Sequence, residues 1–138
     1  NNYINLKNKS KDEIKEQITK CSEKIKKITG KECTLLRIPY GEYNNNILEI
    51  AENENLQTIQ WSIDSLDYNG ITAEEIWEIM EENLSCGSII LFHNEYITDD
   101  FENIINNIQN KGYTITSISN IIYKDNYQID GNGKQSIK

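Results

Sequence analysis

Apolar residues recur along this chain in two alternating periods. In "SKDEIKEQITKCSEKIKKITG", Ile14, Ile18, Cys21, Ile25 and Ile28 fall four and three apart, which predicts one amphipathic helix. Ser10 and Glu13 form a capping-box pattern at its start, and Gly30 stands where a helix stops. "CTLLRI" then reads as a short buried strand, and "NNILEIAENEN" as a second helix. "LQTIQWSID" has the β-branched and aromatic content of a strand. "TAEEIWEIMEENL" predicts a third helix with Thr72 and Glu75 as a second capping box, and "GSIILF" a fully apolar strand. Asp99 and Glu102 open a fourth helix, "FENIINNIQNKG". "YTITSIS" predicts a last strand, followed by a turn or short helix at "NIIY". The tail "KDNYQIDGNGKQSIK" is polar and is expected to be extended or frayed.

After the first helix, strands and helices alternate. That order implies parallel strands joined by crossover helices, in an open α/β sheet or part of a β/α barrel. No Pro/Gly/Ser-rich linker interrupts it, so one domain is expected over residues 1–123, with 124–138 as a polar C-terminal tail.

The composition excludes some partners. The 138 residues carry a net charge of −8, and a nucleic-acid or anionic-membrane surface rewards clustered Lys and Arg instead. No segment has the apolar length of a membrane span, and "NNYINLKNKS" does not read as a signal peptide. Cys21, Cys33 and Cys86 form no CxxC and no disulfide framework; they read as small buried hydrophobes. One histidine is too few for a Cys/His zinc site. Trp61 and Trp77 read as core, the acidic run of the third helix as a solvated face, and Asp99 and Asp100 as helix-start residues.

In parallel α/β folds, sites form where strands end at their carboxyl side. Here one strand ends in Arg37, the only arginine, beside Pro39, the only proline. The next ends in Asp64 with Asp67 three residues on, and the third in His93, the only histidine. Arg37, Tyr40, Asp67 and His93 are therefore expected on one rim. A histidine serves as general acid or base near neutral pH. A carboxylate against its ring would hold the tautomer, and either Asp64 or Asp67 could be that carboxylate. An arginine fork can clamp a second carboxylate, and a loop entering a helix offers N–H groups to an oxyanion. A nucleophile or metal is missing from the set.

"RIPYGEYN", "WSIDSLDY" and "GSIILFH", in this order and spacing, resemble the third, fourth and fifth motifs of the polysaccharide deacetylases, the NodB-like carbohydrate esterase family 4. The likeness extends over nearly the whole chain. It implies a distorted (β/α) barrel with parallel strands, a divalent metal that is usually zinc, and removal of acetyl groups from peptidoglycan, chitin-like sugars or xylan. By resemblance, Arg37 would orient the catalytic aspartate base, and Tyr40 would offer its backbone N–H to the oxyanion. Asp67 would pair with His93, the general acid. Leu91 would line the acetyl pocket, with Pro39 and Tyr68 on the groove wall. Ile38 stands where the family commonly has proline and Tyr68 where it has tryptophan, which bears on sugar preference rather than reaction.

The resemblance also implies parts this chain lacks. A metal-binding histidine is expected near position 3, which is Tyr3, and no strand remains for an Asp-Asp pair. The chain thus reads as the C-terminal part of the domain, with the barrel's N-terminal strands missing. No metal ligand and no bound metal are expected from this piece alone, which would be inactive. Its partners would be an acetylated glycan and the missing N-terminal part. The parent protein would be extracellular or in the cell envelope. A non-catalytic carbohydrate-binding remnant is the alternative. A small nucleotide-binding α/β domain fits poorly, because no Gly-rich phosphate loop follows any strand.

Overall fold

The computed structural model describes residues 4–96, 101–130 and 134–138. The chain divides into two compact units, Asn1–Gln60 and Trp61–Lys138, each with its own apolar core.

In the first unit, helix α1 spans Lys11–Thr29. Its capping box is complete: Glu13 N–H donates to Ser10 Oγ at 3.3 Å, and Ser10 N–H donates to Glu13 Oε2 at 3.0 Å. Gly30 ends the helix in the left-handed region, φ 72°, with its N–H on the Lys26 carbonyl at 2.8 Å. Strand β1 (Leu35–Arg37) leads through helix α2 (Asn45–Asn53) to strand β2 (Gln57–Ile59). The strands are parallel, with Leu35 opposite Gln57 and Arg37 opposite Ile59, as a helical crossover requires. Ile14, Ile18, Ile38, Ile47 and Ile50 pack into the core between them.

The stripe of α1 is only half used. Ile14 and Ile18 are buried, whereas Cys21 and Ile25 are exposed and Ile28 is 85% exposed. Period alone marks which face is apolar; it does not say how far along the helix a partner reaches.

In the second unit, strand β3 (Ile63–Asp64) leads through helix α3 (Ala73–Asn83) to strand β4 (Ile90–Leu91), again parallel. Thr72 and Glu75 cap α3 reciprocally, at 3.2 and 2.8 Å. Helix α4 (Phe101–Asn110) packs Ile104 and Ile108 with Ile63, Ile76 and Met80. Asp99 and Asp100, expected at its start, lie outside the described residues, as does Tyr3.

Several expectations need correction. The single strand expected at 56–64 is two short strands, β2 and β3, with Gln60, Trp61 and Ser62 in neither ladder. Each half follows a different neighbour, Ile59 opposite Arg37 and Ile63 opposite Ile90. "YTITSIS" makes no strand: residues 113–117 have no ladder partner among the described residues, and 118–120 form a helical turn. Its β-branched residues favour a pleated, half-buried surface, but a strand exists only where another accepts its hydrogen bonds. Of the two states expected for the tail, the described residues take the extended one. Strands β5 (Tyr127–Ile129) and β6 (Gln135–Ile137) form an antiparallel pair, an exception to the expected parallel strands. Its ladder extends to Asp130, whose N–H donates to the Lys134 carbonyl at 3.1 Å. The cysteines are not buried: Cys21 and Cys86 are exposed, and Cys33 is half-buried.

Candidate active site

The ladder of β3 on β4 continues one residue beyond Asp64, where Ser65 N–H donates to the Leu91 carbonyl at 3.2 Å. The chain then bends sharply. Leu66 takes the left-handed conformation, φ 56°, ψ 22°, and a helical turn follows over Asp67–Asn69, closed by Gly70 at φ 71°. The Asp67 carboxylate is thereby turned toward the exit of β4, two residues beyond Leu91.

Asp67 is almost fully buried, at 3% exposure. Its Oδ2 accepts the backbone N–H of His93 at 2.6 Å, and its Oδ1 meets His93 Nδ1 at 2.8 Å. Oδ1 also accepts the Tyr68 N–H at 3.0 Å. Burial alone would push this carboxyl up. The hydrogen bonds from His93 and Ser65 and the attraction of the His93 ring outweigh it, and Asp67 is held below the ordinary aspartate range. It is therefore ionised at neutral pH. An ionised carboxylate only accepts, so Nδ1 of His93 carries the proton in this bond. Nε2 is then an acceptor in the neutral ring and a donor in the imidazolium, which suits general acid or base chemistry. The Tyr68 ring meets the imidazole edge to face, with centroids 5.2 Å apart.

The choice between the two aspartates is decided by geometry. Asp64 Oδ1 accepts the Leu66 N–H at 3.1 Å and serves the bend, while Asp67 holds the histidine. Leu91, opposite Asp64 in β4, is half-buried. Sequence reasoning missed Ser65 and Leu66. Ser65 is fully buried, and its Oγ accepts the Asp67 N–H at 3.4 Å. A serine between two aspartates, just past a strand, was the available signal; nothing in a leucine announces positive φ.

Arg37 and Tyr40 belong to the first unit. Arg37 is the exposed last residue of β1. Pro39 opens the turn Pro39–Gly41, in which Gly41 N–H donates to the Ile38 carbonyl at 3.2 Å. Tyr40, 63% exposed, sits in the left-handed region at φ 61°. For a bulky residue that is an uncommon conformation, and such outliers gather at functional sites.

The polysaccharide deacetylase family model matches residues 1–59. A peptidoglycan-N-acetylglucosamine deacetylase of Bacillus cereus is 32% identical over 116 residues, covering 80% of this chain and 42% of the relative. The chain is thus similar to the polysaccharide deacetylases. A second deacetylase relative is the peptidoglycan-N-acetylmuramic acid deacetylase PdaA of Bacillus subtilis, 26% identical over 128 residues, covering 88% of this chain and 49% of the relative. Among solved structures, the Bc1960 peptidoglycan N-acetylglucosamine deacetylase aligns with TM-score 0.81 and 30% identity over 86% of this chain and 58% of that one. A family 4 pseudoenzyme from Bacillus anthracis, BA3943, shares the fold at TM-score 0.81 and 23% identity, over 86% of this chain and 43% of that one. The chain thus spans less than half the length of either the Bacillus cereus deacetylase or PdaA.

Polysaccharide deacetylases typically depend on a metal. Among the described residues, no group of three or more His, Cys, Asp and Glu is placed to hold one. The donor chemistry agrees: the sole histidine engages Asp67 through Nδ1, and a catalytic zinc takes about three protein ligands. The described residues do not fit a metal centre.

Proposed function

We propose that this chain acts as the C-terminal part of a polysaccharide deacetylase domain that hydrolyses acetyl groups on an N-acetylated glycan, peptidoglycan or chitin-like. The bond between Asp67 and His93 carries this reading. Water adds to the acetyl carbonyl, and the C–N bond breaks as Nε2–H of the imidazolium protonates the leaving amine, giving acetate and the free amino sugar. The Asp67 carboxylate keeps the proton on Nδ1 and stabilises the charged ring throughout. Arg37 would orient the aspartate base and Tyr40 N–H would meet the oxyanion; Leu91, Pro39 and Tyr68 would contact the substrate. Each parallel pair with its crossover helix would be a piece of a distorted (β/α) barrel. The base and the divalent metal, zinc by resemblance, would come with the part of the fold that the longer relatives carry outside the shared stretch. With such a glycan as substrate, the parent protein would act outside the cell or in its envelope. No described helix is long and apolar enough to cross a membrane.

The test joins this chain to the complementary N-terminal part of a relative and follows acetate release from peptidoglycan and chitin oligomers with zinc present. His93→Ala should lower kcat roughly 10²- to 10⁴-fold, the usual worth of a positioned general acid, with KM little changed. Equal rates in both proteins would remove His93 from the chemistry. The second reading is a glycan-binding piece without hydrolysis. Glycan binding that persists with no acetate released by the joined protein would support that one instead.

A further inference from the structure

Four residues at the end of β3 form a device that goes beyond the pairing itself. Leu66 is a γ-branched residue in the left-handed region, at φ 56°. There the Cβ of an L-residue crowds the following carbonyl, so the conformation persists only where its surroundings impose it. The surroundings here are specific. Asp64 Oδ1 accepts the Leu66 N–H at 3.1 Å, closing a turn across Ser65. Ser65, fully buried, is tied by its own N–H to the Leu91 carbonyl and by its Oγ to the Asp67 N–H. On the far side, the Leu66 carbonyl accepts the Asn69 N–H at 2.9 Å. Both of its peptide groups are held by hydrogen bonds that a return to negative φ would disturb. The direction of the next residue, Asp67, is set by that dihedral.

We propose that Asp64 is a positioning residue: its carboxylate locks Leu66 in the left-handed bend and so aims Asp67 at His93. Asp64 touches neither the histidine nor any reacting atom in this scheme. It acts by making the Asp67 carboxylate arrive in one orientation, where a relaxed Leu66 would let it sample several. An amide oxygen at the same position would do the same work, because the bond needs an acceptor and no charge.

This rests on the reading of Asp67 and His93 as the proton-transfer pair, but its test does not require deacetylation. The chain has one histidine, so a proton–nitrogen correlation spectrum of the imidazole reports this pair alone. The wild type should show the proton on Nδ1. Asp64→Ala should lose that preference, moving toward the tautomer mixture of free imidazole, while Asp64→Asn keeps it. Asp64→Ala combined with Leu66→Gly should regain part of it, because glycine holds positive φ without help. Circular dichroism on each variant separates a local change from unfolding. If Asp64→Ala unfolds the chain, the Asn variant and the double variant decide: a wild-type imidazole spectrum in Asn with partial recovery in the double variant supports the role. An Asp64→Ala spectrum equal to wild type would overturn it, and so would loss of the Nδ1 proton in Asp64→Asn. If the tautomer responds as expected and no acetate is ever released, the positioning role stands and only the proposed reaction falls.

Discussion

Asp67 holds His93 at two points, accepting the backbone N–H through one carboxylate oxygen and meeting Nδ1 through the other. The backbone bond fixes where the residue leaves β4, and the ring bond fixes how the imidazole is turned. One buried side chain thus sets both the position and the tautomer of the histidine.

Removing that side chain should cost stability as well as function. Asp67→Ala leaves the N–H groups of His93 and Tyr68 without the acceptor they use in the fold. The expected loss is roughly 2–5 kcal/mol, the range for breaking a buried hydrogen-bonded charge network. Urea unfolding followed by circular dichroism measures it, and a change under about 0.5 kcal/mol would mean that water replaces the carboxylate freely.

The same carboxylate makes stability depend on acid. Burial opposes its ionisation, the bonds from His93 and Ser65 favour it more, and the folded pKa lies below the unfolded one. The stability this contributes is full above the unfolded aspartate value of about 3.9 and is lost as pH falls through the folded value. Asp67→Asn removes the titration. The gap in unfolding free energy between wild type and Asp67→Asn should therefore narrow as pH falls below about 4. A gap that widens toward acid would reverse the assigned direction.

Helix α1 offers a contrast within one stripe. Ile14 is fully buried and Ile28 is 85% exposed, although both belong to the same apolar period. Ile14→Ala should destabilise by about 2–5 kcal/mol through lost burial and the cavity left behind. Ile28→Ala should stay within about 0.5 kcal/mol, as exposed sites do. Comparable losses at both sites, measured by denaturant titration, would show that the outer half of the helix is covered in solution.

Two capping boxes give a smaller effect of the same sign. Ser10→Ala and Thr72→Ala each remove the oxygen that receives an N–H of the first helical turn. Each should cost about 1 kcal/mol. Hydrogen exchange would localise the loosening to the first turns of α1 and α3, and exchange that speeds up uniformly instead would point to a different cause.

The helices were legible from sequence because their signals are local. The Ser10–Glu13 and Thr72–Glu75 boxes, and Gly30 at the end of α1, lie within a few residues of the groups they satisfy. Asp67 and His93 could also be singled out, since both follow segments whose apolar runs mark strands, and the structure brings the two together. What depended on a distant partner could not be read. The stretch 56–64 broke into two strands because its halves pair with different neighbours, and "YTITSIS" stayed unpaired among the described residues despite its β-forming composition. Asp64 and Asp67 are equivalent carboxylates on paper. Only the tertiary structure, by bending the chain at Leu66 and burying Asp67 against the exit of β4, decided which one meets the histidine. A side chain's type is written in the chain; the direction in which it points is set by dihedrals and hydrogen bonds that form only when the neighbouring strand is in place.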